Sequence, residues 1–202
     1  MAQEDNKIIL EKEQDSIGKW LRVYDNFMPI EKLAKFLQFC NSDICQEYWM
    51  AGKVGDRGDG GTIKKETRLV DCLGLTNIVK SYTAVHYAWY MKSVVTNLLK
   101  KYVDDTNAQI FDFRVHDIEV LRYGVGGKYE PHIDASLTYP RRVSMILLLN
   151  NDYEGGELYF PGIGEIRVAP NRAIVWPSNY VYVHGVKPIT KGTRYSIVSW
   201  LL

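Results

Sequence analysis

The chain has 202 residues, 46% of them hydrophobic and 24% charged, with a formal net charge of +1 at pH 7. That length suits one domain able to enclose a core, and the composition excludes a fibrous or disordered chain. The even charge balance leaves no broad footprint for nucleic acid or an anionic membrane, and no apolar run approaches the roughly 20 residues needed to cross a bilayer.

The opening segment, MAQEDNKIILEKEQDS, is polar and acidic and lacks the apolar stretch of a signal peptide. A cytoplasmic location with no membrane association is therefore expected. Cys40, Cys45 and Cys72 are odd in number and lack CxxC spacing, which suits reduced thiols.

The first half reads as helix-rich. In MPIEKLAKFLQFCNSD, Pro29 suits a first-turn position and Glu31 the positive helix end, while Leu33, Phe36, Leu37 and Cys40 share a face. A longer helix is predicted from about Ser81 to Tyr102, where Val85, Ala88, Trp89, Val95, Leu98 and Leu99 recur at helical spacing. Between the two, AGKVGDRGDGGTIKKETRLVD carries five glycines before Thr62 and reads as a mobile loop leading into a short strand. Its Arg57-Gly58-Asp59 matches an integrin-binding tripeptide, which is read as coincidence because no secretion signal accompanies it.

From Val115 onward the pattern changes. HDIEVLRY, RRVSMILLLN, GELYF, GEIRV, RAIVWP, VYVHGV and TRYSIVSWLL are short runs rich in Val, Ile, Leu, Tyr and Trp, separated by Gly, Pro and Asn turns. Close spacing of this kind predicts a sandwich or barrel.

Four histidines occur in the chain, and one lies in YEPHIDAS, two residues before an aspartate. Residues two apart on an extended strand project from one face, so His132 and Asp134 point together while Ile133 points away. His184, on a late strand that a barrel can return beside the first, completes a set of two histidines and one carboxylate. That set leaves one side of a divalent ion open and suits non-haem Fe(II). The alternative is a packed His184 beside a surface pair. Arg194 follows His184 by ten residues, across a turn containing Pro188 and Gly192. A hairpin there is expected to hold Arg194 deep in the barrel beside the metal strand. A buried guanidinium needs an anion. Either a dicarboxylate ligand or a protein acid, Glu157 or Glu165, can serve. Ser196 falls on the same strand face.

Together LRYGVGGKYEPHIDAS, RRVSMILLLNNDYEGGELYFP, NRAIVWPSNYVYVHGVKPI and KGTRYSIVSWLL resemble, in that order, the catalytic core of the Fe(II)- and 2-oxoglutarate-dependent dioxygenases of the prolyl 4-hydroxylase type. The resemblance is weak before Asp112. It implies an α+β, mainly β fold: a double-stranded β-helix (jelly-roll) core over residues 112–202, with N-terminal helices packed on one sheet. Residues 1–111 form a helical and lid-supporting region of the same single domain. By motif position His132, Asp134 and His184 match the metal ligands, and Arg194 the residue that holds the distal carboxylate of 2-oxoglutarate. Tyr123 matches a cosubstrate-contacting tyrosine, with Ser196 a further cosubstrate candidate. Trp176 and Trp200 match aromatic barrel positions, read first as core. Arg57, Asp59, Tyr129 and Trp176 are the substrate or lid candidates.

The resemblance further implies Fe(II) as cofactor, 2-oxoglutarate and O2 as cosubstrates and ascorbate as reductant. The implied reaction couples oxidative decarboxylation of 2-oxoglutarate to hydroxylation of a C–H bond, with a prolyl residue in a peptide or protein as the expected substrate. Compact microbial, algal or viral forms are the nearest in shape, which includes a virus-encoded enzyme acting in a host cytoplasm. The alternatives are the same chemistry on another side chain, a small molecule or nucleic acid, and a non-catalytic β-barrel binding module. A nucleic acid partner is disfavoured because no second arginine follows Arg194. The oligomeric state is left undetermined.

Overall fold

The C-terminal strand runs do build two facing sheets, and the N-terminal half contributes strands to both. The structure is a computed structural model and describes residues 18–55, 61–78, 81–110 and 112–202. Arg57 and Asp59 lie outside the described residues.

In chain order the elements are β1 (Arg22–Asp25), α1 (Ile30–Cys40), α2 (Asp43–Gln46), β2 (Met50–Ala51), β3 (Arg68–Leu69), β4 (Asp71–Gly74) and α3 (Tyr82–Thr106). Then follow β5 (Val115–Tyr123), β6 (Lys128–His132), β7 (Val143–Leu148), β8 (Glu154–Gly155), β9 (Leu158–Phe160) and β10 (Gly164–Ile166). The last are β11 (Arg172–Pro177), β12 (His184–Val186), β13 (Ile189–Lys191) and β14 (Arg194–Leu201). Among the described residues one sheet has seven strands in the order β1-β11-β7-β14-β5-β4-β2. The second has five, in the order β10-β9-β12-β6-β3. Both sheets thus carry strands from outside the segment where the motifs lie.

The strand pleat separates two cores. On β5, β7 and β14, Val120, Leu147 and Ile197 face the helices, where they pack with Leu33 and Phe36 of α1 and Val95, Leu98 and Leu99 of α3. Alternate residues Leu121, Ile146 and Val198 face inward and meet Leu158, Phe160 and Val186 of the smaller sheet. The helices therefore cover one sheet face, as expected for a jelly-roll, and the space between the sheets is left for a site.

Two helix details differ from the sequence expectation. Pro29 is the residue capping α1 rather than part of its first turn, and Phe39 is buried where Leu37 is only partly so. On α3 the buried stripe includes Ala84, Met91, Val95, Leu98, Leu99 and Tyr102, whereas Trp89 is 68% exposed. The first turns of α3 carry apolar residues on every face, so periodicity there does not choose a side. Ser81 caps the helix by accepting from the Ala84 amide at 3.4 Å, and Asn107 ends it in the left-handed conformation.

Candidate functional site

β12 pairs antiparallel with β6 so that His184 lies opposite His132. Cross-strand neighbours approach closely, and the two imidazole centroids are 4.4 Å apart. Asp134 reaches the pair differently from the sequence expectation. β6 ends at His132, so Asp134 is not on the strand. The chain bends at Asp134, and the Ala135 amide donates to the Ser178 carbonyl at 3.0 Å, tying the bend to the end of β11. Asp134 then bridges the histidines, with Oδ1 3.6 Å from His132 Nε2 and Oδ2 3.4 Å from His184 Nε2. One ligand atom from each of the three residues lies within 4.8 Å of the others.

Hydrogen bonds set which ring nitrogen is available. His132 Nδ1 is 2.9 Å from the Glu130 carbonyl and His184 Nδ1 is 3.0 Å from the Tyr182 carbonyl. A carbonyl can only accept, so Nδ1 carries the proton and Nε2 presents its lone pair toward Asp134. Ser144 donates to Asp134 Oδ2 at 2.6 Å, and its oxygen is 2.7 Å from that of Ser178. One hydroxyl has one proton, so Ser178 donates to Ser144, which donates to Asp134. Burial opposes the charge on Asp134, but the carboxyl is held well below its usual range by the two imidazoles when they carry a second proton and by the Ser144 hydroxyl that donates to it. Burial pushes His184 down to about 4 against the opposing pull of Asp134. A carboxylate and a neutral imidazole are the protonation states in which these groups bind a divalent metal.

Aromatic neighbours fix the ring planes. Trp176 stands edge-on to His184 at 4.8 Å between centroids, and Tyr129 is stacked on His132 at 3.6 Å. The pocket around the three residues is walled by Arg68, Leu121, Tyr123, Tyr129, Trp176 and Trp200, among others.

Arg194 opens β14, fully buried, and its backbone pairs with Tyr123. The expected hairpin beside the metal strand does not form. From β12 the chain passes through β13, which pairs with β8, and enters the larger sheet between β5 and β7. Arg194 therefore sits on the sheet facing β12, with its guanidinium carbon 5.1 Å above the Tyr123 ring. Gly192 makes the crossing possible. Its φ is +76°, and a Cβ there would come 2.6 Å from the Asp152 carbonyl oxygen.

The two acids considered as partners do not serve Arg194. Glu165 pairs with Lys187, and no ion pair joins Arg194 to Glu157 among the described residues. Nε, Nη1 and Nη2 of Arg194, the Ser196 Oγ and the Tyr153 hydroxyl are all buried without a hydrogen-bond partner among the described residues. Burial raises Tyr153, and the Arg194 guanidinium opposes that rise. Burial also pushes Tyr123 up to about 12, again opposed by Arg194. Orphaned donors around a buried cation describe a place for an anion with more than one oxygen, and a carboxylate fits it.

The structure thus brings together His132, Asp134 and His184 in one cluster, and Arg194, Tyr123 and Ser196 in a second beside it. Tyr129 and Trp176 pack against His132 and His184 respectively. Ser144, Ser178 and Tyr153 lie within the motif segments but are not singled out by sequence reasoning. Ser144 leaves a trace, a hydroxyl inside the apolar run VSMILLL, whereas Ser178 leaves none.

Known proteins share the fold. The double-stranded β-helix is shared with a viral collagen prolyl hydroxylase from Paramecium Bursaria Chlorella virus-1. That match has TM-score 0.63 and 16% identity, over 91% of this chain and 96% of that one. A Trichoplax adhaerens prolyl hydroxylase in complex with a hypoxia inducible factor peptide fragment matches at TM-score 0.69 and 17% identity, over 91% and 84%. Residues 118–202 match the model of the 2OG-Fe(II) oxygenase superfamily. A PKHD-type hydroxylase of Gloeothece citriformis (strain PCC 7424) is 37% identical over 97 residues, 44% of this chain and 43% of that protein. A PKHD-type hydroxylase of Synechococcus sp. (strain CC9902) is 35% identical over 119 residues, 54% and 53%. The matched part thus spans about half the length of these curated relatives. The matched segment, which holds all six residues of the two clusters, is similar to the 2OG-Fe(II) oxygenase superfamily.

Proposed function

We propose that residues 1–202 work as one unit, an Fe(II)- and 2-oxoglutarate-dependent dioxygenase that hydroxylates a C–H bond, with a prolyl residue in a peptide or protein as substrate. The observation that carries the reading is Arg194: a buried guanidinium with no acid partner among the described residues, beside the tyrosine that walls the pocket of a two-histidine, one-carboxylate cluster. A binding module needs neither group in that relation. The prolyl assignment is supported by the PKHD-type relatives, by the prolyl hydroxylase structures of like fold, and by the peptide held in one of them.

His132, Asp134 and His184 hold the metal through Nε2, a carboxylate oxygen and Nε2. When bound, Fe(II) supplies the activation of dioxygen that oxidises 2-oxoglutarate and hydroxylates the substrate. The chain's own part is to bind, orient and exclude water. The carbonyls of Glu130 and Tyr182 keep the ligand nitrogens unprotonated, and Ser144 holds Asp134 in place. Arg194 fixes the distal carboxylate of 2-oxoglutarate, with Ser196 and Tyr153 as further donors, and Tyr123 covers the guanidinium. Ascorbate serves as reductant.

The test is succinate release from 2-oxoglutarate with Fe(II) under air, followed by a panel of proline-containing peptides read by mass spectrometry for the gain of one oxygen. Succinate with no oxygenated peptide keeps the dioxygenase and removes the prolyl substrate. No succinate with any candidate substrate overturns the enzyme.

A further inference from the structure

Arg68, the first residue of β3, pairs through its backbone with Tyr129 of β6 and lines the same pocket as His132 and Asp134. Its guanidinium carbon lies 4.8 Å from the centre of the Tyr129 ring, above its plane. Tyr129 is stacked on His132 at 3.6 Å between centroids with 20° between planes. A ring face covered that closely has no room for a second group, so the guanidinium occupies the opposite face. The result is a three-layer stack of guanidinium, phenol and imidazole.

The outer layer is itself anchored. Nη1 of Arg68 donates to the Lys53 carbonyl at 2.6 Å, and Nη2 to Cys72 Sγ at 3.5 Å. Lys53 adjoins Val54, which forms an isolated antiparallel bridge with Thr62, so the acceptor sits beside a paired backbone position. The imidazole is thus held on two sides. The Glu130 carbonyl grips it in the plane, and the stack grips it across the plane.

We propose that Arg68 is a positioning residue for the metal centre: it clamps Tyr129 against His132 and so sets the plane in which Nε2 meets the ion. The inference rests on the reading of His132 as a ligand. A cation above a phenol ring is attractive, and removing groups that orient metal-bound imidazoles typically lowers metal affinity by about 10–100-fold.

The test uses Co(II) as probe with the full chain, following its visible d–d absorption during titration, with no turnover involved. Wild type and His132→Ala come first; equal Co(II) binding by the two removes the ligand reading itself. With that reading secure, Arg68→Met and Tyr129→Leu are each expected to weaken Co(II) binding roughly tenfold and to shift the d–d bands. Because they break one stack, the double variant should be little worse than either alone. Tyr129→Phe keeps the stack and should match wild type. Arg68→Lys keeps the cation but loses the two-point anchor, and should fall between. If Arg68→Met does not fold, Arg68→Lys and Tyr129→Leu carry the comparison. Unchanged Co(II) affinity and spectrum in the folded variants overturns the proposal, as do losses that simply add. So does an effect confined to the KM of a peptide substrate, which would make Arg68 a substrate contact.

Discussion

At the scale of single residues, the proposed site divides into a part suited to a cation and a part suited to an anion, and each makes a separable prediction. His132→Ala, Asp134→Ala and His184→Ala each remove one of three convergent ligand atoms. Each is expected to abolish Fe(II) or Co(II) binding and succinate formation while leaving the circular dichroism of a folded barrel; retained metal binding in any one removes that residue from the ligand set. Arg194→Ala should spare Co(II) affinity and raise the KM for 2-oxoglutarate. Loss of a desolvated charge pair costs about 2–5 kcal/mol, on the order of a hundredfold or more in binding. Arg194→Lys should be milder, keeping the charge but not the planar fork. A titration of succinate formation at saturating iron checks both, and overlapping curves would place the cosubstrate elsewhere.

At the scale of elements, the crossing from β13 into β14 determines where Arg194 sits. Gly192→Ala meets both an unfavourable φ and the Asp152 backbone, so it should cost about 1–3 kcal/mol and displace Arg194 two residues on. Gly162 has φ +79° with nothing within 4 Å of an added Cβ, so Gly162→Ala carries only the backbone strain. Urea unfolding of the pair should show the larger loss at Gly192, accompanied there alone by a raised KM for 2-oxoglutarate. The edge strand β1 is fastened to β11 by Asp25 and Arg172, with Arg172 Nε 2.7 Å from Oδ1 and Nη2 2.8 Å from Oδ2. The hydrogen bond from Arg172 lowers the Asp25 carboxyl below its usual value. A depressed folded value means the stability is present above the unfolded value, about 3.9, and is lost as pH falls through the folded one. Asp25 is 48% exposed, so screening limits the gain to about 1 kcal/mol at most. Asp25→Asn should accordingly lower Tm slightly at pH 7, with the difference from wild type shrinking below about pH 4.

At the scale of the whole molecule, the pleat of the larger sheet separates stability from chemistry. Phe36 is fully buried on the helix side, with ring centroids 5.4 Å from Tyr87 and 6.3 Å from Phe39. Phe36→Ala is expected to cost about 3–5 kcal/mol in urea unfolding. The cavity opens on the face opposite the site, so the folded protein should bind Co(II) with unchanged affinity. A parallel loss of metal affinity would show that the two cores are coupled through the sheet.

Much of this is legible in the amino-acid chain itself. Strand-length apolar runs between turn residues announce the two-sheet fold, since the pleat needs only alternation and punctuation. HxD spacing with a late histidine and arginine points to the metal and anion clusters, because ligand chemistry restricts residue type. What tertiary structure alone decides is how those residues meet. Asp134 joins the histidines from a bend, drawn in by the Ala135–Ser178 bond and the Ser144 hydroxyl, partners distant in sequence. Arg194 sits on the sheet facing β12 and meets Tyr123, which lines the pocket, because the strand order places β14 between β5 and β7. Arg68 stands against the stack of Tyr129 and His132 because β3 pairs with β6 across a long chain separation. Local pattern records which face a residue takes on its own strand; which strand lies opposite is a property of the assembled sheets, and periodicity carries no term for it.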